Sequence, residues 1–235
     1  MNFLALFRHG VPRSARAVRE PPPHVAVADD YPGLRRIHEP EINLAIWRRG
    51  LPAELRHWLD KLPYAQLPQR RVMIGPHEHE AVVRALVTEN LAAVPPVADA
   101  LVADITGMIK IFRDLSGYET LQLRLEGIDN ASCKKFHTDH VGLRLLVTYK
   151  GAGTQWLPEH AVDRLALGCC ENHDICRNRG AVETLERGHA AILKGSAYRP
   201  AAVGGIVHRS PPIKEKGRAR LLLCLDKPYC HTGRQ

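Results

Sequence analysis

Hydrophobic positions divide this chain into two halves of different rhythm. From His77 to Ala93, apolar residues fall at Val82, Val83, Leu86, Val87 and Leu91, close to a 3.6-residue period, and Pro95-Pro96 closes the run. From Val97 to Leu115, a stripe of Leu101, Ile105, Met108, Ile109 and Phe112 predicts another helix, with Gly117 as its stop. A shorter helix is predicted from Ala53 to Leu62, and the pattern from about Glu41 through Ile42, Leu44, Ile46 and Trp47 also reads as helical. After Gly117 the period changes to two. Tyr118–Glu126 alternates apolar and polar residues as a half-buried strand does, and Gly127–Asn130 reads as a turn. Further strands are expected at 134–137, 141–149, 154–157, 189–194, 204–208 and 218–225, with a short helix around Ala161 to Leu167 in the polar stretch 158–188. The expected class is α+β, a helical N-terminal part packed on a C-terminal β-barrel. Residues 1–36 read as a flexible, basic, Pro-rich arm, 37–117 as the helical region, 118–228 as the barrel and 229–235 as a tail.

A chain of 235 residues with 45% hydrophobic and 25% charged residues can bury a core without disulfides. No apolar run approaches the ~20 residues of a membrane span. The opening Met1–Arg8 has too short an apolar stretch for a secretory signal and no basic region before it, so a cytoplasmic protein is expected. The six cysteines are unevenly spaced, which fits reduced thiols rather than a disulfide framework. A net charge of +8 raises nucleic acid as a partner, but the charge is spread along the chain, and an anionic small molecule accounts for it as well. The signatures of a P-loop, a dinucleotide-binding turn and a hydrolase nucleophile elbow are all missing.

The chemistry concentrates in His137-Thr138-Asp139 and a distant His208. A His-x-Asp pair followed by one later His is the ligand set of a 2-His-1-carboxylate facial triad, which holds Fe(II) and leaves coordination positions open. The same donors suit zinc or manganese. His140 competes in sequence, but on an extended strand it would point away from a site that His137 faces. A second, weaker metal candidate is Cys169, Cys170, His173 and Cys176, whose spacing is not a clean pair of Cys-x-x-Cys motifs. Tyr149, Thr154 and Trp156 flank Gly151 and Gly153 and could line the mouth of a site; Arg209 adjoins a ligand and could orient a carboxylate.

Several segments together resemble a bacterial family catalogued as domain of unknown function 1826. They are Cys133–Asp139, Arg144–Trp156, Lys194-Gly195, His208-Arg-Ser-Pro211 and Arg220–Asp226, with Asn43–Arg49 resembling that family's N-terminal part. The family name implies no activity; its members' frequent proximity to zinc-homeostasis genes implies a non-catalytic metal-binding protein as an alternative reading. More remotely, the order of ligands resembles the double-stranded β-helix, a cupin-like jelly roll, of Fe(II)/2-oxoglutarate dioxygenases. That resemblance implies an oxygenase with Fe(II) and 2-oxoglutarate. It also implies a basic residue after the last His that grips the far carboxylate of the cosubstrate. Arg218 and Arg220 follow His208 by 10 and 12 residues and share one side of a strand, Arg220 lying deeper in the apolar run. Arg144 is a third candidate for that role.

Overall fold

The computed structural model describes residues 20–91, 95–129, 133–199, 204–213 and 219–228. Its frame is a seven-stranded sheet. The strands are β1 (Val25–Ala28), β2 (Leu44–Trp47), β3 (Gln69–Ile74), β4 (Leu121–Ile128), β5 (Leu143–Lys150), β8 (Ala190–Lys194) and β10 (Arg220–Asp226). Their order across the sheet is β1-β2-β8-β5-β10-β4-β3. All neighbours pair antiparallel except β1 and β2, which are parallel. A three-stranded sheet is built from β6 (Gln155–Leu157), β7 (Glu183–Thr184) and β9 (Val207–Arg209), with β6 in the middle.

Side chains alternate across the large sheet, and the two faces have different partners. Ala45 and Trp47 of β2, Leu143, Leu145 and Val147 of β5, and Leu221, Leu223 and Leu225 of β10 join one core with the helices. Those helices are α1 (Ala53–Lys61), α2 (His79–Leu91) and α3 (Pro95–Ser116). On α3 the stripe of Leu101, Ile105, Met108, Ile109 and Phe112 is wholly buried in that core. On the other face, Leu44, Ile46, Leu146, Leu193 and Cys224 pack with Trp156 of the small sheet. The molecule is thus mixed α/β, with helices on one side of a large sheet and a small sheet on the other. No helix among the described residues is long and apolar enough to cross a membrane.

Several elements differ from the sequence-based expectation. Residues 42–47 were expected to be helical; Leu44–Trp47 is instead a strand with all four residues buried, clamped between β1 and β8. The arm expected to run to residue 36 is structured from Val25, which begins β1, and Leu34 and Ile37 are fully buried in a 3-10 turn. β2 and β3 lie inside the stretch 37–117 that was expected to be helical, and both belong to the same sheet as the later strands. The first nineteen residues of the arm and the expected tail at 229–235 lie outside the described residues. The predicted strand at 134–137 reduces to one isolated bridge, His137 with His208. The helix expected near 161–167 is a pair of 3-10 turns, and a short α4 (Asn172–Ile175) follows them.

Candidate metal centre

The inner faces of β5 and β10 are not wholly apolar. Arg144 and Thr148 on β5, with Arg220 and Asp226 on β10, all lie buried on the face turned from the helices. The register sets Asp226 directly opposite Arg144. Arg144 Nε donates to Asp226 Oδ2 at 2.9 Å, and Arg144 Nη2 donates to the same oxygen. The remaining nitrogen of the fork, Arg144 Nη1, lies 2.5 Å from Asp139 Oδ2. A strand residue therefore reaches back to hold a carboxylate in the loop that precedes its own strand.

That carboxylate is part of a convergent set. His137 and His208 exchange backbone hydrogen bonds at 3.0 and 2.9 Å, which sets their rings side by side with centroids 4.7 Å apart. Gly195 lets the Asp139 loop approach, because a Cβ there would lie 2.6 Å from the Asp139 carbonyl oxygen. Ser196 N–H, in turn, donates to that carbonyl at 2.8 Å. One ligating atom each from His137, Asp139 and His208 then falls within 4.8 Å of the others. His208 Nε2 is 3.1 Å from Asp139 Oδ2, and His137 Nε2 is 3.5 Å from Asp139 Oδ1.

These residues fit a divalent metal on their own chemistry. His137 Nδ1 lies 2.9 Å from the Lys135 carbonyl, and His208 Nδ1 lies 3.2 Å from the Ile206 carbonyl. A carbonyl only accepts, so Nδ1 carries the proton in each ring, and in the neutral ring Nε2 keeps its lone pair toward the cluster. Metal-bound histidines are oriented in this way. Asp139 Oδ2 is buried and has close neighbours in His208 and Arg144, yet neither contact has hydrogen-bond geometry. A buried carboxylate oxygen without a directed donor is an open ligand position. Burial by itself pushes the Asp139 carboxyl up, but contacts with His137 and His208 and the Arg144 charge overcome it and hold the group well below the usual carboxylate range. The hydrogen bond to Asp139 raises His137 above its ordinary value, against its burial. His140 lies outside the cluster, with Nδ1 3.1 Å from Ser196 Oγ.

Arg220, on β10, lies under unusual conditions. It is 1% exposed, and its only hydrogen bonds among the described residues go to three hydroxyls. Nη2 donates to Thr154 Oγ1 at 3.2 Å and Thr148 Oγ1 at 3.5 Å, Nη1 donates to Ser210 Oγ at 3.4 Å, and Nε has no partner. Among the described residues no carboxylate pairs with it. Burial draws it down to about 10, so it stays cationic at neutral pH. Gly151 makes this arrangement possible at the turn from β5 to β6. Its φ is +76°, and a Cβ there would lie 2.6 Å from Ala219 O and 3.2 Å from the Arg220 Cα.

The other sequence candidates are placed as follows. Arg144 belongs to the Asp139–Asp226 pair, so its fork is already occupied. Thr154 is buried and accepts from Arg220. Trp156 pairs with His208 in register and packs between the sheets. Tyr149 faces the helices, where its hydroxyl donates to Asp104 at 2.5 Å beside the buried Arg49–Asp104 pair. Arg209 lies over the Phe136 ring, bonds Gln155 and, with Ser210, Lys134 and Asn172, lines a cavity of about 510 Å³. Arg218 lies outside the described residues. Cys176 is buried in an apolar cluster while Cys169 and His173 are exposed, and among the described residues these side chains do not converge as a metal set. Asp226, Thr148 and Ser210 carry the site too, and sequence reasoning passed over them. For two the signal was parity, Asp226 sharing a face of β10 with Arg220 and Thr148 a face of β5 with Arg144; Ser210 follows His208 by two residues, just past β9.

The fold and site thus define a mixed α/β protein with a candidate His-Asp-His metal centre between two sheets. The chain belongs to the family described as "Protein of unknown function (DUF1826)", whose model matches residues 28–226. No curated protein matches the sequence. Among solved structures the chain is similar to the rice dioxygenase for auxin oxidation, at 13% identity and a TM-score of 0.48, over 86% of this chain and 81% of that one. The Arabidopsis thaliana counterpart in complex with 2-oxoglutarate gives 12% identity and 0.46, over 86% and 91%. A Pseudomonas putida prolyl-4-hydroxylase gives 11% and 0.33, over 71% and 94%.

Proposed function

We propose that this chain is an Fe(II)-dependent oxygenase that uses 2-oxoglutarate, built on a double-stranded β-helix. Arg220 carries the reading. A cation buried without a counter-charge is costly, and a site that keeps one is prepared for an anion. Three hydroxyls around its fork offer further hydrogen bonds to a carboxylate. The hydrogen bond from this fork to Ser210, two residues beyond His208, supports a site shared with the proposed metal ligands. A dicarboxylate that reaches the metal with its keto-acid end and Arg220 with its far carboxylate would satisfy both features.

In this reading His137 Nε2, an Asp139 carboxylate oxygen and His208 Nε2 hold the iron. Bound Fe(II), with the keto acid, supplies the redox chemistry that activates dioxygen. Arg144 fixes the rotamer of Asp139, the Lys135 and Ile206 carbonyls fix the two imidazoles, and Arg220 fixes the cosubstrate. Three protein ligands leave positions open, whereas a structural zinc site closes with four.

Calorimetric titration of 2-oxoglutarate into the protein loaded with Mn(II), a redox-inert stand-in, tests the assignment. Arg220→Met keeps stem volume and removes the fork. A charge-assisted bidentate contact is worth about 2–5 kcal/mol, so affinity should fall roughly 30-fold to several-thousand-fold while Mn(II) affinity holds. Wild-type protein that binds metal but never the keto acid would favour a non-catalytic metal-binding role, with zinc as the alternative metal.

A further inference from the structure

Cys169 and Cys170 are consecutive thiols that the proposed chemistry does not use. Their Sγ atoms lie 2.9 Å apart, well inside sulfur–sulfur contact. Cys169 is exposed and Cys170 partly so. Gly168, with φ +86°, turns the chain into them. The residues that follow grip the segment leading to His137. Glu171 Oε1 pairs with Lys135 Nζ at 2.5 Å. Asn172 Oδ1 accepts from Phe136 N–H at 2.7 Å, and Asn172 Nδ2 donates to Lys134 O at 2.8 Å. The Lys135 carbonyl between those two contacts is the acceptor for His137 Nδ1.

We propose that Cys169–Cys170 is a modification site, a vicinal dithiol that peroxides oxidise to a disulfide, and that this change reaches His137 through Glu171 and Asn172. The thiol chemistry stands apart from the metal reading; only its consequence for metal affinity rests on that reading. The exposed Cys169 attacks first. Its sulfur forms an S–O bond as the peroxide O–O bond breaks, and the hydroxide released takes the thiol proton to leave as water. Cys170 sulfur then attacks that sulfenic sulfur; the S–S bond forms, the S–O bond breaks, and a second water leaves. Two thiols give up two electrons and two protons to one hydrogen peroxide. The hydrogen bond it shares with Cys169 raises the Cys170 thiol, which suits it to be the second, resolving partner.

The product is expected to be readily reversed. Adjacent Cα atoms are about 3.8 Å apart, below the usual ~4.4–6.8 Å span of a disulfide, so the eight-membered ring is strained and easily reduced. Closing it must also rearrange the backbone at 169–170, and the first residues to feel that are Glu171 and Asn172. Groups that orient a metal-bound histidine are worth about 10–100-fold in metal affinity.

The test uses the full-length, metal-free protein. It is reduced, treated with hydrogen peroxide, freed of peroxide with catalase and alkylated. Cleavage after Glu171 separates the pair from Cys176. The peptide carrying Cys169 and Cys170 should have lost two hydrogens and resist alkylation, and dithiothreitol should restore it. In parallel, the ring signals of His137, assigned with His137→Gln, should shift on oxidation, while those of His57 on the far helix stay in place. Asn172→Ala should oxidise normally but shrink the His137 shift. Cys170→Ser, a near-isosteric change, should show neither disulfide nor shift and serves if Asn172→Ala does not fold. A disulfide through Cys133, over-oxidation of Cys169 without a disulfide, or an unmoved His137 signal would each overturn the proposal. Because no metal is present, failure of the metal reading leaves this outcome intact.

Discussion

At the scale of single residues, the site depends on how charge is distributed around Asp139. Arg144 is the cation shared by Asp139 and Asp226, all three largely buried. Arg144→Met would leave two buried carboxylates facing one another without it. Removing one partner of a buried pair costs about 3–5 kcal/mol. For a chain of this length that lowers the thermal midpoint by roughly 6–20 °C. Adding Asp226→Asn should recover part of the loss, as calorimetry of the double variant would show. His137 gives a pH dependence of opposite sign with and without metal. Its value is raised, chiefly by the hydrogen bond to Asp139. In the metal-free protein this contribution to stability is fully present below about pH 6.5, the ordinary histidine value, and is lost as pH rises through the raised one. Metal binding requires the neutral ring, so Mn(II) affinity should rise with pH over that same window, with proton release. Calorimetry in buffers of different ionisation enthalpy measures that release, and His137→Gln should diminish it. The convergence of His137, Asp139 and His208 as a candidate cluster was legible in the sequence because two donors flank a single residue and chemistry limits what such donors do. The Arg144–Asp226 pair was not, because its partners meet only through the register of β5 on β10.

At the scale of elements, long periodic segments were the readable ones. The α3 stripe and the alternation of β4 both lie where their periods put them. Ile42–Trp47 misled because four to six apolar residues satisfy a helical period and an alternating one equally. Pairing to β1 and β8 decides it, and both partners are distant in sequence. Val25–Ala28 was masked by the prolines before it, which suggest a loose chain but place no limit on an edge strand that starts after them. The turn from β5 to β6 offers a test at this scale. Gly151→Ala sets a Cβ against the Ala219 carbonyl at a positive φ. The conformation alone costs roughly 1–2 kcal/mol. Relief of the clash must move the backbone of Arg220. The variant should therefore lose 2-oxoglutarate affinity more than Mn(II) affinity, measured by the same calorimetry.

For the whole molecule, the large sheet separates two environments. Its helix-facing side is an apolar core with a buried ion pair, Arg49–Asp104; its other side faces a small sheet and holds Arg144, Arg220 and Asp226. Along β5 and β10 the core residues take one parity and Arg144, Thr148, Arg220 and Asp226 the other. The central claim is that Arg220 and the His137–Asp139–His208 set bind one keto acid between them. Anaerobic titration of 2-oxoglutarate into the Fe(II)-loaded protein tests it most directly. A weak visible metal-to-ligand charge-transfer band should grow and saturate at one keto acid per iron, vanish in Asp139→Ala, and be absent in Arg220→Met at the concentration that saturates the wild type. Stoichiometric iron binding with no band at any 2-oxoglutarate concentration, or a band of equal strength in Arg220→Met at that concentration, would contradict the account.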